Sequence, residues 1–482
     1  MAPSSLTSSA EVLQFAIEFT PEQRQALKFL SSAHLAFVER ACNDPAFLDK
    51  EQFKRFEQKH PSVIAAVQAW PTLIGEPIVA EMRRISVGLS NAIKRIPHEI
   101  FAMDAEAISE FYHLNRDFVR HIILPSITEQ AMEGAVGRGD YLLAPDRLWC
   151  VEYNMSVSLG GVWESTEWDR MVRETPVLAG YLRDNNLRIR PRNTLRLLMR
   201  HVINEAKRFL RDWDGMVNVA YVGAKTNLEM AHDIPDYKEL RVYFQKEYEE
   251  VLKEGERGKF ILCSFEELWT DDGRIFFSDT PMNVVLEMTT GDVPLHILRC
   301  YQRGTFNLHN GPLTYLLCNK MAMALLSEFH DSGIFTEEED QLIQAHVPWT
   351  RKVMPATADF KGSSVKLPAF ILENQRELVL KKTISASGQH VAVGAHTAPE
   401  QWDATLKQAL ADEDWIVQEC VKYPQLPYQH GTYGCQLHDV VFGLFVFGTE
   451  FGGTFMRVLA KNRGGVVNRQ RGSTDAIAVE VL

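Results

Sequence analysis

Apolar and polar positions follow two different rhythms along the chain. Over residues 10–120 apolar positions recur every three to four residues, which predicts helices. TPEQRQALKFLSSAHLAFVERACND opens with a Thr cap, a Pro in the first turn and an acid beside it. DAEAISEFYHLNRDFVRHIILPS keeps the same spacing. From about residue 138 the texture changes. GRGDYLLAP and DRLWCVEYNMSVS read as two strands joined by a short APD turn. NTLRLLMRHVINEAKRFLRDW reads as a helix, MVNVAYVG as a strand, YKELRVYFQKEYEEVLKEG as a helix and KFILCSFEELW as a strand. Alternating strands and helices predict an α/β unit with parallel pairing. In the last third, CNKMAMALLSEF and QWDATLKQALADED read as helices, and DWIVQECV as a strand. RELVLKKTISASGQHVAVG reads as two antiparallel strands around a small-residue loop, and VVFGLFVFGTEFGGTFMRVLA as a hairpin. The chain then divides into a helical N-terminal region (1–125), a hairpin plus α/β unit (126–315) and a third region (316–482).

Composition narrows the function classes. The 482 residues are 45% hydrophobic and 24% charged, which suits a globular protein, and no apolar run is long enough for a membrane span. The net charge of −12 comes without a basic tract, against a nucleic-acid partner. The opening MAPSSLTSSAEVLQF lacks a basic segment followed by an apolar one, so a cytoplasmic location is expected. Seven widely spaced cysteines with no CxxC fit reduced thiols in core positions rather than a disulfide frame or a zinc knuckle. No HExxH or similar histidine spacing occurs.

Candidate chemistry concentrates in three stretches. In WCVEYNMSVSLGG, Glu152 and Asn154 share one face of a strand that is otherwise apolar. A buried carboxylate needs a partner. Asp140 lies at the start of the preceding strand, and a tight hairpin brings it back beside the pair. Three hard oxygens suit Mg²⁺, which takes phosphate oxygens and water as its other ligands. Arg138, two residues before Asp140, is placed to hold a carboxylate or the charge of a transferring phosphoryl group. The second stretch, VLKKTISASGQHVAV, sets Lys381 and Lys382 before Ser385, Ser387 and Gly388. Small residues let backbone amides close on a phosphate while a lysine supplies charge, although an ordinary polar turn has the same composition. In the third, DWIVQECV, Gln418 and Glu419 end a strand that can face an adenine edge.

Together these pieces resemble a circularly permuted ATP-grasp ligase related to the glutathionylspermidine synthases. The Arg-x-Asp and Glu-x-Asn pairs match that family's pattern at Arg138, Asp140, Glu152 and Asn154, and they precede the phosphate loop by more than two hundred residues. NGPLTYLLCNKMAMALLSE resembles the family's Asn-Lys helix, with Lys320 as the second ATP lysine. HVPWTRKV resembles its Pro-Trp-Thr-Arg segment, and RELVLKK its lysine before the loop. The resemblance spans about residues 130–480 and implies an α/β, circularly permuted ATP-grasp fold. It implies metal ligation by Asp140, Glu152 and Asn154, with ATP contacts from Lys320, Lys381, Ser387, Gly388, Gln418, Glu419 and Val421. Arg138 would be catalytic, and Ser156, Arg351 and Arg457 would face substrate. Arg463, Arg469 and Arg471 are further anion-binding candidates. Three departures stand out. SASGQ carries one glycine where the family has two or three, Lys381 and Lys382 are adjacent, and MSVSLGG replaces the usual Ala-Asp-Thr-Pro. No amidase segment accompanies the ligase pattern, so a stand-alone ligase is expected.

The implied cofactors are ATP and Mg²⁺, as two ions. The implied reaction passes the γ-phosphoryl group to a substrate carboxylate, and an amine then displaces phosphate from the acyl phosphate. Small-molecule carboxylate and amine substrates are expected, amino acids or a γ-glutamyl-type pair. A phosphotransferase on the same scaffold and a non-catalytic nucleotide-binding protein remain open. The helical N-terminal region either offers a homodimer face or completes the core.

Overall fold

Thr20 and Gln23 cap the first helix reciprocally, side chain to backbone in both directions, and this starts α1 (Pro21–Leu30). Extended backbone at Ser31 ends it, and the Ser31 hydroxyl caps α2 (Ser32–Ala41) by accepting from the His34 N–H. One predicted helix is thus two. Leu27, Leu30, Phe37 and Val38 on these helices belong to the main core, so this region completes it. The computed structural model describes residues 18–57, 66–210, 213–223, 237–288, 293–384, 390–431, 434–461, 466–468 and 471–482. Among these, no helix is long and apolar enough to cross a membrane.

The all-helical reading of 10–120 needs one correction. VQAWPTLIG forms a strand, β1 (Val67–Gly75), buried along most of its length. Burial on both faces removes the alternation that marks a half-exposed strand. Pro71 falls within a register shift between Gln68 and Thr72, where a strand tolerates its missing N–H. α3 (Glu76–Glu99) follows directly.

Two strands, β2 (Val136–Leu143) and β3 (Leu148–Asn154), form the predicted hairpin. Downstream come β4 (Thr350–Lys352), β5 (Leu378–Lys382), β6 (Val391–Val393) and β7 (Trp415–Glu419), which assemble in the order β4-β7-β5-β6 with antiparallel pairing. Then follow β8 (Leu426–Gln429), β9 (Cys435–Phe447), β10 (Glu450–Ala460) and β11 (Thr474–Val481). The large sheet runs β1-β11-β10-β9-β2-β3, with β8 beside β9. It draws strands from all three predicted regions. Between them, Val219–Val222, Phe260–Cys263, Val284–Glu287 and Asn307–Leu308 pair in parallel, as the alternation of strand and helix predicts. The fold is mixed α/β.

Candidate functional site

The β2–β3 register sets Arg138 opposite Asn154 and Asp140 opposite Glu152. Alternation along each strand therefore turns all four side chains to one face. β9 runs on the other side of β2, with Gly443 opposite Asp140, and β10 brings Arg457 level with Val441. This face of the large sheet floors a cavity of about 1440 Å³, and residues of β5, β6 and β7 form the opposing wall. Arg138, Asp140, Glu152, Asn154, Ser156, Lys320, Lys381, Gln418, Glu419, Val421 and Arg457 all line it.

Inside the cavity the two carboxylates have different partners. Asp140 accepts from Arg138 Nε at 2.7 Å and Nη2 at 3.0 Å, and from Arg457 Nη2 at 3.1 Å. Burial opposes charge at Asp140, but Arg138, then Arg457 and Lys320, hold its carboxyl below the usual range. Burial likewise opposes charge at Arg138, yet Asp140 outweighs it and raises the guanidinium's pKa. Arg138 Nη1 also donates to the Gly160 carbonyl at 2.8 Å. Asp140 was expected among the metal ligands, and in this structure its carboxylate is engaged by two arginines. Both of its oxygens are taken by guanidinium groups, which makes it the residue that positions Arg138 and Arg457. Glu152 and Asn154 also present oxygens to the cavity. Glu152 Oε1 lies 3.2 Å from Lys320 Nζ. Among the described residues no cluster of three His, Cys, Asp or Glu side chains is arranged to hold a metal. One carboxylate and one amide still fit Mg²⁺, which commonly binds through one or two protein oxygens plus phosphate and water.

The lysines are sorted by strand geometry. Lys381 is buried and donates to Gln418 Oε1 at 2.7 Å and the Val151 carbonyl at 2.9 Å. Burial lowers its pKa to about 8, against the pull of Glu152. Lys382, the next residue, also borders the cavity but pairs with Asp412 and Asp414, each at 3.3 Å. Lys320 caps α4 (Met321–Phe329), and its N–H donates to the Thr383 carbonyl at 3.2 Å, tying the helix to the end of β5.

Two other expected residues have protein partners of their own. The strand end at Gln418 and Glu419 was expected to offer backbone and side-chain groups to an adenine edge. The Gln418 side chain is buried between Lys381 and Thr350 Oγ1, 3.0 Å from the latter, so it positions Lys381. Arg351 was expected to face substrate, but it is not part of the cavity lining. It donates to Ser327 O at 2.9 Å and Thr350 O at 2.8 Å and stacks on Trp349, which ties β4 to α4. Glu419 pairs with Lys361 at 2.7 Å at the cavity edge. Val421 follows β7 on the rim, and Ser156 accepts from the Ser158 N–H at 3.0 Å. Ser387, Gly388, Arg463 and Arg469 lie outside the described residues.

Sequence reasoning missed Asp439. It is buried, lines the cavity and accepts from Gln425 Nε2 at 2.9 Å. Its signal was the one that marked Glu152, a single acid in an apolar strand. The Thr20–Gln23 cap of α1 also reaches the rim, where Gln23 Nε2 donates to Gln425 O at 2.9 Å.

No protein-family model matches the chain, and no curated protein matches it. Among solved structures, a glutathione synthetase-like effector from Globodera pallida, in its apo form, aligns with a TM-score of 0.54 at 11% identity. The alignment covers 92% of this chain and 99% of that one. A putative gamma-glutamylcysteine synthetase from Methylobacillus flagellatus aligns with a TM-score of 0.37 at 11% identity, over 79% of this chain and 84% of that one, too low to argue a shared fold. The fold is therefore of the glutathione synthetase-like kind.

Proposed function

We propose that the chain is an ATP-dependent ligase that joins a carboxylate to an amine, with ADP and phosphate as by-products. The observation that carries this reading is the meeting of Lys320, Lys381, Arg138 and Arg457 with Glu152 and Asn154 in one large cavity between two sheets. Paired lysines and arginines beside hard oxygens suit a polyphosphate better than any apolar ligand. The glutathione synthetase-like fold is consistent with it, and it suggests amino acids or a γ-glutamyl peptide as substrates. We take the fold to be the circularly permuted form of ATP-grasp.

In this mechanism Lys381, fixed by Gln418, and Lys320, fixed through Thr383, neutralise phosphate oxygens. Glu152 and Asn154 would hold Mg²⁺, which supplies further charge neutralisation at the phosphates. Arg138 and Arg457, oriented by Asp140, hold the reacting carboxylate in line with the γ-phosphorus. A carboxylate oxygen attacks phosphorus and ADP leaves. The amine nitrogen then attacks the acyl carbon, phosphate departs, and the nitrogen loses a proton to water. The same guanidiniums stabilise the oxyanion in that second step.

The test is ADP and phosphate release from Mg·ATP with pooled amino acids, read with mass spectrometry of the products. ADP together with a product of two amino acids less water supports the ligase. AMP in place of ADP excludes the acyl-phosphate route. A second reading, nucleotide binding without catalysis, is favoured by one observation: Asp140 is engaged by two arginines and leaves few oxygens for a metal. Saturable ATP binding with no substrate-dependent ADP would support it.

A further inference from the structure

The end of α2 and the start of β9 bring two thiols together from opposite ends of the chain. Cys42 is the C-cap of α2, and Cys435 is the first residue of β9. Their Sγ atoms are 3.6 Å apart, though 393 positions separate them in sequence. All seven cysteines are free thiols in the structure. Cys435 pairs with Gln429 in the β8–β9 ladder, and neighbouring segments are held by other contacts. Tyr428 and Thr72 hydroxyls meet at 2.8 Å, Gln23 donates to Gln425 O at 2.9 Å, and the Gln429 side chain donates to Gly431 O at 2.7 Å. Closing to a disulfide asks the sulfurs to approach to about 2.05 Å, which side-chain rotation supplies when the backbones already face each other.

We propose that Cys42 and Cys435 are a reversible disulfide-forming pair that staples the N-terminal helices to the strand lining the cavity. Accessibility orders the steps. Cys435 is half-buried while Cys42 is buried, so the external oxidant meets Cys435 first. The hydrogen bond between the thiols lowers the pKa of Cys435 and raises that of Cys42, which also makes Cys435 the first nucleophile. The Cys435 thiolate attacks one sulfur of a low-molecular-weight disulfide RSSR, forming a mixed disulfide and releasing one RS⁻. The Cys42 thiol then loses its proton and attacks Cys435 Sγ, releasing the second RS⁻. Both thiolates take up protons, so the protein dithiol and RSSR yield the protein disulfide and two RSH. The staple joins α2 to β9 four residues before Asp439 on the cavity floor. The remaining cysteines have no such partner among the described residues, which makes the reaction specific to this pair.

The experiment treats the full-length chain with hydroxyethyl disulfide, quenches with acid, alkylates the unfolded protein and reads intact mass and peptides. The expected result is two fewer alkylatable thiols, a loss of two hydrogens, and one peptide linking Cys42 to Cys435, all reversed by reductant. Cys42→Ser should instead accumulate a single hydroxyethyl adduct on Cys435. Wild-type peptides linking other cysteines, links between chains, or a wild-type protein that keeps all its thiols would overturn the proposal, whatever the fate of the variant.

Discussion

Asp140 and Glu152 face each other across the β2–β3 ladder, yet their carboxylates bind different cations. Asp140 is fixed by Arg138 and Arg457, whereas Glu152 meets Lys320. A buried ion pair broken on one side leaves an uncompensated charge, which costs about 3–5 kcal/mol. Asp140→Ala should therefore lower stability by that order, read as a shifted urea midpoint. Glu152→Gln keeps an oxygen for buried Lys320 but loses the charge that pairs with it, so it should shift the midpoint less than Asp140→Ala while abolishing Mg·ATP-dependent turnover. Activity surviving Glu152→Gln would remove Glu152 from the metal site.

Lys381 links the site to pH. Its folded pKa, about 8, lies below the unfolded value of 10.5. Between those values the unfolded chain binds more protons, so stability rises with pH through this window, and the cost of the buried ammonium is fully present below pH 8. A polyphosphate that needs the ammonium should pull protons onto the protein. Calorimetry of ATP binding at pH 8.5, in buffers of differing ionisation enthalpy, should show net proton uptake by wild type and none by Lys381→Met. Equal heats in all buffers for wild type would contradict the assignment of Lys381 to phosphate.

How far the sequence reaches can be seen at particular residues. The β2–β3 hairpin was legible because its polar pairs sit at period two within apolar runs around a short turn. The choice between Lys381 and Lys382 was not legible as a motif, though alternation along β5 decides it once Gln418 is known to lie beneath Lys381. β1 was hidden because burial on both faces erased its period. The protein contacts of Gln418 and Arg351 were not legible for a different reason. Their partners, Thr350 and Ser327, are distant in sequence, and a polar residue at a strand end looks the same whether it meets a ligand or another side chain. The double engagement of Asp140 was hidden in the same way, since the second arginine comes from β10.

Buried histidines predict the acid limit of stability. Burial lowers His34 and His309 to about 3, and His201 and His438 to about 4, from an ordinary 6.5. Their folded pKa values are depressed, so the stability they contribute is present above pH 6.5 and is lost as pH falls toward 4. Each adds a slope of about 1.4 kcal/mol per pH unit in that range. Urea midpoints should fall steeply between pH 6.5 and 5, and His309→Gln should make the fall shallower. A midpoint flat across that interval would mean that these rings charge without penalty.

Gly443 is the last point at which a single atom decides the site. It lies opposite Asp140 on β9, and a Cβ there would stand 2.7 Å from Arg138 Cδ and 3.0 Å from Arg138 Nε. Those atoms cannot swing aside freely, because the guanidinium is held by Asp140 and by the Gly160 carbonyl. Gly443→Ala should therefore displace Arg138 and cost about 1–3 kcal/mol, as overpacking does elsewhere. If Arg138 holds the reacting carboxylate, the same change should raise the KM for the carboxylate substrate and lower kcat while leaving ATP affinity within a few-fold. Unchanged kinetics in a folded Gly443→Ala protein would show that the Arg138–Asp140 pair serves the sheet and not the reaction.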